Sequence, residues 1–159
     1  MAALAEEAPG LDVAGAPVVI LGAGGAARAA AAALKAAGGD VGVLNRTQAR
    51  AAALAADLGV RVATAEDVFR AALVVNALSI RPDIDVGALR PDAVLMDMTY
   101  RPLLTPFLKA GRDRGLVAVD GLAMLIGQAR PSFEALFGVA PPPVDDVRAV
   151  ALAALGEAS

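Results

Sequence analysis

Pro17-Val-Val-Ile-Leu-Gly-Ala-Gly-Gly-Ala-Ala-Arg-Ala29 is the stretch that decides the fold. Pro17 to Leu21 is an apolar run without polar alternation, the pattern of a strand covered on both faces, as in a parallel sheet. Glycines then interrupt it, and from Gly25 to Ala37 the composition turns almost wholly to alanine, the strongest helix former, until Gly38-Gly39 stops the helix. A strand that passes into a helix through a glycine turn leaves the first helical amides without internal partners, backed by the positive end of the helix dipole. Such a place suits an anion.

Outward from this unit, strand and helix patterns alternate. Val41 to Leu44 reads as a second strand, Thr47 to Leu58 as a helix capped by Thr47 and stopped by Gly59, and Val60 to Ala63 as a third strand. A helical turn at Glu66 to Arg70 precedes strands at Ala72 to Val75 and Ala93 to Met96, which the polar, proline-containing segment Arg81 to Asp92 separates. Leu103 to Arg114 reads as helix, Leu116 to Val119 as strand and Leu122 to Phe137 as a long helix. Pro141-Pro-Pro143 is a stiff connector to a last helix, Asp145 to Leu155, and the start of the chain reads as a short polar lead-in. The spacing predicts one α/β domain over residues 1–159, a Rossmann-like doubly wound parallel sheet of about six strands with helices on both faces. Ligands of such sheets bind at the C-terminal ends of the strands.

Composition excludes several chemistries. No cysteine or histidine is present, so there is no disulfide, thiolate nucleophile, ordinary zinc site or imidazole base. Lys35 and Lys109 are the only lysines. A net charge of −3, one tyrosine and no tryptophan give neither a basic stripe nor a stacking platform, so nucleic acid is not an expected partner. The longest apolar stretch, Pro17 to Leu34, contains Gly22, Gly24, Gly25 and Arg28, and is read as part of a soluble domain rather than a membrane span. Glu6 and Glu7 with no basic start speak against a secretory signal, which leaves the cytoplasm as the expected location.

Gly22-Ala23-Gly24-Gly25-Ala26-Ala27 carries the dinucleotide-binding fingerprint with alanine in its third position, between a strand and a helix as that motif requires. The alternative is a glycine turn that packs strand on helix and holds no ligand. An NAD enzyme places an acid at the end of the second strand, on the ribose 2′-hydroxyl. Here that place holds Asn45-Arg46-Thr47, with Arg50 one helical turn on. Guanidinium groups pair with a 2′-phosphate, so the pattern favours NADP, unless the arginines are solvated surface and Thr47 merely caps. Asn76 is placed either to bond a cofactor ribose or to shape its turn, and Met98 and Tyr100 should face the cleft. Asp97 is expected to anchor loop backbone. Asp120-Gly121 opens the long helix, and Gln128, one to two turns in, is by itself an ordinary solvated side chain.

In order, GAGGAARA at Gly22 to Ala29, NRT at Asn45 to Thr47, Tyr100-x-Pro102 followed by Thr105-Pro106, and DGLAMLIGQA at Asp120 to Ala129 resemble the C-terminal, cofactor-binding domain of the shikimate dehydrogenase family. The resemblance implies NADP contacts from Gly22, Ala23, Gly24, Gly25 and Ala26, from Asn45, Arg46, Thr47, Gln48, Ala49 and Arg50, and from Asn76. It implies Met98 and Gly121 at the nicotinamide end, and Tyr100 and Gln128 on the shikimate side of the cleft. It also implies that the catalytic Lys and Asp belong to an N-terminal domain absent from this sequence, a separate chain being one possible source, so that no catalytic residue is expected here. In the intact enzyme the expected partners are NADP(H) and shikimate or 3-dehydroshikimate. One departure is Asn76-Ala-Leu-Ser-Ile80, where the family has a threonine and then a glycine-methionine pair. Two rival readings remain: a nucleotide-binding or regulatory module without a reaction, and the cofactor domain of a quinate or other NADP-dependent dehydrogenase.

Overall fold

The computed structural model describes residues 1–156. Six parallel strands, β1 (Pro17–Leu21), β2 (Asp40–Leu44), β3 (Arg61–Val62), β4 (Leu73–Asn76), β5 (Val94–Asp97) and β6 (Val117–Val119), lie in the order β3-β2-β1-β4-β5-β6. The order reverses between β1 and β4, which opens a crevice beyond their C-terminal ends. The helices are α1 (Ala2–Glu7), α2 (Gly25–Ala36), α3 (Gln48–Leu58), α4 (Ala65–Arg70), α5 (Pro106–Asp113), α6 (Gly121–Phe137) and α7 (Val144–Leu155).

The two sheet faces bury separate cores. Val18, Ile20, Leu73, Val75, Met96 and Val119 meet α1, α2, α3 and α6 on one side, while Val19, Leu21, Val74 and Leu95 meet α4 and α5 on the other. Alternation along a strand assigns each residue to its face, and burial of both faces explains why the strands read as unbroken apolar runs. Ala27 and Ala31 are fully buried, and their small side chains let α2 lie close against the sheet.

Register aligns the strand ends. Leu21 stands beside Leu44 and Asn76, and Asn76 beside Asp97. Gly22, Asn45, Ala77 and Met98 therefore step off the sheet along one edge.

Several boundaries differ from those the sequence suggested. The lead-in is not polar coil: Ala2–Glu7 is helical, buries Ala3 and Leu4, and packs on α6 and β6. The helix after β5 begins at Pro106 rather than Leu103, because the Thr105 hydroxyl accepts from the Leu108 amide and Pro106 fills the first turn. Thr47 occupies the N-cap position of α3, yet its side chain makes no capping bond. The segment Arg81 to Asp92 includes a short 3-10 turn, Val86–Ala88, tied to the body by Arg114, which donates to the Val86 and Leu89 carbonyls. No helix among the described residues is long and apolar enough to cross a membrane.

Candidate functional site

The fingerprint occupies the crevice. Gly22 has φ +113°, which L side chains rarely adopt, and a Cβ there would press on the Ala77 carbonyl at 3.2 Å, so glycine is required both by the turn and by the neighbouring β4 loop. Gly24 and Gly25 are different. Both are exposed, and a Cβ on either would meet nothing within 4 Å. Gly24 caps α2 and Gly25 begins it, so open space lies directly over the helix N-terminus, where the amides of the first turn seek acceptors. Ala26 is exposed in the same turn and Ala23 is half-buried. The geometry fits an oxyanion laid across backbone.

At the end of β2, Asn45 folds back, its side-chain amide donating to the Thr47 carbonyl at 2.9 Å and shaping the entry to α3. Arg46, Thr47, Gln48, Ala49 and Arg50 are all exposed around that helix start. Neither Arg46 nor Arg50 has a carboxylate or carbonyl partner among the described residues, although Arg28, Arg61, Arg70 and Arg90 elsewhere on the surface all pair with acids. Two such guanidinium groups and an uncommitted Thr47 hydroxyl at a helix N-terminus are donors of the kind a phosphate ester takes.

Asn76, expected either at a ribose or in its turn, is buried, and its Oδ1 accepts from the Leu78 amide at 3.2 Å. This bond shapes the turn after β4. Asp97, also buried, accepts from the Thr99 amide at 2.9 Å and the Thr105 hydroxyl at 2.8 Å. It thereby fixes the loop that presents Met98 and Tyr100. Met98 is half-buried and lines a mostly apolar cavity with Met96, Met124 and Gln128, between α1, α2 and α6. Tyr100 is exposed further along the loop and does not line that cavity. Structure thus joins Met98 with Gln128 and leaves Tyr100 apart from them.

Gly121 holds α6 against this loop. A Cβ at that position would lie 2.5 Å from the Thr99 carbonyl oxygen and 2.8 Å from that of Met98, so only glycine allows the approach. Just before it, buried Asp120 caps α6 through the Ala123 amide at 2.9 Å and forms two bonds with Arg148 of α7, at 3.2 and 2.5 Å. Burial works against the Asp120 charge, but the Arg148 hydrogen bond and the Ala123 amide hold its carboxyl below the usual range. Glu7 on α1 lies 3.9 Å from Arg148, and burial together with the Asp120 charge raises its pKa. This cluster joins α1, α6 and α7. Sequence reasoning could not assemble it, because Glu7 is far from the other two members along the chain.

Both lysines stand away from the edge. Lys35 donates to the Leu58 carbonyl at the end of α3, and Lys109 pairs with Asp113 along α5. No group of three or more His, Cys, Asp or Glu able to hold a metal occurs among the described residues.

Strand order and the glycine turn between β1 and α2 define the class: a Rossmann-like domain, the fold on which dinucleotide-binding proteins are built. The family described as shikimate / quinate 5-dehydrogenase matches residues 3–78. The chain is 48% identical over 170 aligned residues to the shikimate dehydrogenase (NADP(+)) of Caulobacter vibrioides, covering 99% of this chain and 60% of that protein. This chain belongs to the shikimate dehydrogenase family. The crystal structure of shikimate 5-dehydrogenase from Thermus thermophilus in complex with NADP(H) and shikimate superposes with a TM-score of 0.79 at 37% identity, over 89% of this chain and 55% of that one. Quinate dehydrogenase from Corynebacterium glutamicum in complex with NAD gives 0.77 at 30% identity, over 88% and 55%. The chain therefore spans somewhat over half the length of these relatives.

Proposed function

We propose that this chain is the NADP(H)-binding domain of a shikimate dehydrogenase-type oxidoreductase, which in complete form interconverts 3-dehydroshikimate and shikimate in the cytoplasm. The observation that carries the reading is the paired arrangement at the crevice: open space over Gly24 and Gly25, and Arg46 and Arg50, without partners among the described residues, where an NAD enzyme has an acid. The C. vibrioides and T. thermophilus relatives, named for NADP, support it.

Under this reading the amides at the start of α2 bind the pyrophosphate, and Arg46, Thr47 and Arg50 bind the 2′-phosphate. Bound NADPH supplies the hydride. Met98 and the backbone at Gly121 form the wall at the nicotinamide end, the Asp97 bonds keep that wall fixed, and the family resemblance assigns Tyr100 and Gln128, which share no cavity here, to the hydroxy-acid side. Arg46 and Arg50 act on the cofactor alone, and the proton is handled by the Lys and Asp of the family's other domain, whether it is continuous with this chain or a separate one. Alone, the chain binds cofactor and turns over slowly or not at all, since the cleft has one wall and no acid or base.

Calorimetric titration of the chain with NADP and NAD tests the proposal. NADP should bind at least tenfold more tightly, and Arg46→Ala should remove most of the difference. Equal affinities, or no binding of either nucleotide, would overturn it.

A further inference from the structure

The chain has twelve arginines. Eight donate to a carboxylate or a backbone carbonyl: Arg28, Arg61, Arg70, Arg90 and Arg148 to acids, and Arg112, Arg114 and Arg130 to carbonyls. The remaining four have no such partner among the described residues, and all four stand on the C-terminal edge of the sheet. Arg46 and Arg50 follow β2 and belong to the crevice already described. Arg81 and Arg101 follow β4 and β5, and they line a second cavity, of about 150 Å³, at the start of α5.

No residue of Gly22 to Ala26 or of Asn45 to Arg50 lines this cavity, and of the residues with an implied cofactor contact Asn76 alone reaches its wall. Ser79 and Thr99, both hydroxyl residues, line it beside the two arginines. The one carboxylate in the wall, Asp97, is buried and has both oxygens engaged, by the Thr99 amide and the Thr105 hydroxyl. It is bonded to neutral donors and to neither guanidinium, so its charge offsets only one of the two arginines and the wall keeps a net positive charge. Two like charges facing one small concavity repel each other, and most other arginines of this surface have been given a partner. A guanidinium pair with flanking hydroxyls matches an oxyanion of charge −2, which offers several acceptors to planar donors.

We infer that this cavity is a second anion site, which takes the phosphate group of a small phosphomonoester through Arg81 and Arg101, independently of the nucleotide crevice. Arg101 directly follows Tyr100, so an anion held here links the β4 loop to the loop that carries Tyr100.

The test is an amide-detected NMR titration of the whole chain with inorganic phosphate, at ionic strength kept constant with chloride, beside a titration with acetate. Saturable shifts are expected at Ser79 to Arg81 and at Thr99 to Arg101, with weaker response to acetate. The exposed pair Arg81→Ala and Arg101→Ala together should weaken phosphate at this site at least tenfold, while Arg46→Ala should leave it unchanged. Shifts confined to Gly24 to Ala26 and Arg46 to Arg50, or an unaltered affinity in the double variant, would overturn the assignment. Acetate as tight as phosphate would refute the dianion class. Failure here leaves the NADP titration untouched, so the two readings fall separately.

Discussion

Gly121→Ala puts the packing at the cleft to a direct test. The added Cβ would lie 2.5 and 2.6 Å from the carbonyl oxygen and carbon of Thr99 and 2.8 Å from the Met98 oxygen. These are roughly 1 Å short of the separation at which non-bonded carbons attract. Every atom met is backbone, so no side chain can swing aside. Either α6 retreats or the β5 loop gives way, and both are pinned, α6 by the bonds of Asp120 and the loop by those of Asp97. Overpacking of this kind costs about 1–3 kcal/mol. In a domain of this size that lowers Tm by roughly 2–12 °C. Urea unfolding should show a lower midpoint with an unchanged slope, the sign of a stability loss without a change in the unfolded chain. Gly10→Ala, whose Cβ meets nothing within 4 Å, is the control and should stay within about 0.5 kcal/mol of the parent. If Gly121→Ala is as stable as Gly10→Ala, the close approach does not hold α6 in place and the reasoning fails.

Gly25→Ala should separate ligand approach from folding. Its Cβ meets no protein atom and alanine favours a helical position, so stability should hold or rise by up to about 1 kcal/mol, while calorimetry shows NADP weakened at least tenfold. Arg148→Met strands the buried Asp120 carboxylate and should cost about 3 kcal/mol in urea unfolding, the low end for a broken buried pair because Arg148 is partly exposed. The same cluster gives two opposing pH effects. The depressed Asp120 pKa contributes stability that is present above its unfolded value, near 4, and is lost as pH falls through the folded value. The raised Glu7 pKa contributes stability present below its unfolded value and lost as pH rises through the folded one. Urea midpoints measured across the acid range should therefore lose the low-pH decline in Asp120→Asn and the opposite slope in Glu7→Gln. A variant that keeps the parent profile refutes its assignment.

Much of the fold was legible in the sequence because its signals are local. A strand buried on both faces must be apolar throughout, a turn with positive φ needs glycine, and an alanine run between such turns has little alternative to helix. Pro17 to Ala37 carries all three, and its nucleotide fingerprint could be read for the same reason. The resemblance carried by NRT and DGLAMLIGQA is likewise a matter of neighbouring residues. The early helix escaped because Ala2–Glu7 is too short to declare itself by periodicity, and it exists by packing on α6 and β6. The start of α5 was misplaced because apolar Leu103 and Leu104 look helical until Thr105 is seen to cap.

What only the tertiary structure decided is which polar groups are already satisfied. Asn76 could serve a ribose or a turn, and the fold adds the turn bond, its carbonyl on the Leu78 amide. Gly121 gained its meaning from the carbonyls of Met98 and Thr99, well before it in the chain. Arg28, Arg46, Arg81 and Arg148 look alike in sequence, yet two are paired with distant acids and two are left without a partner at the edge of the sheet, among the described residues. Local propensity follows from neighbours along the chain. The pairing of a charge depends on what folding brings beside it, and that is fixed only when the strands are laid in order.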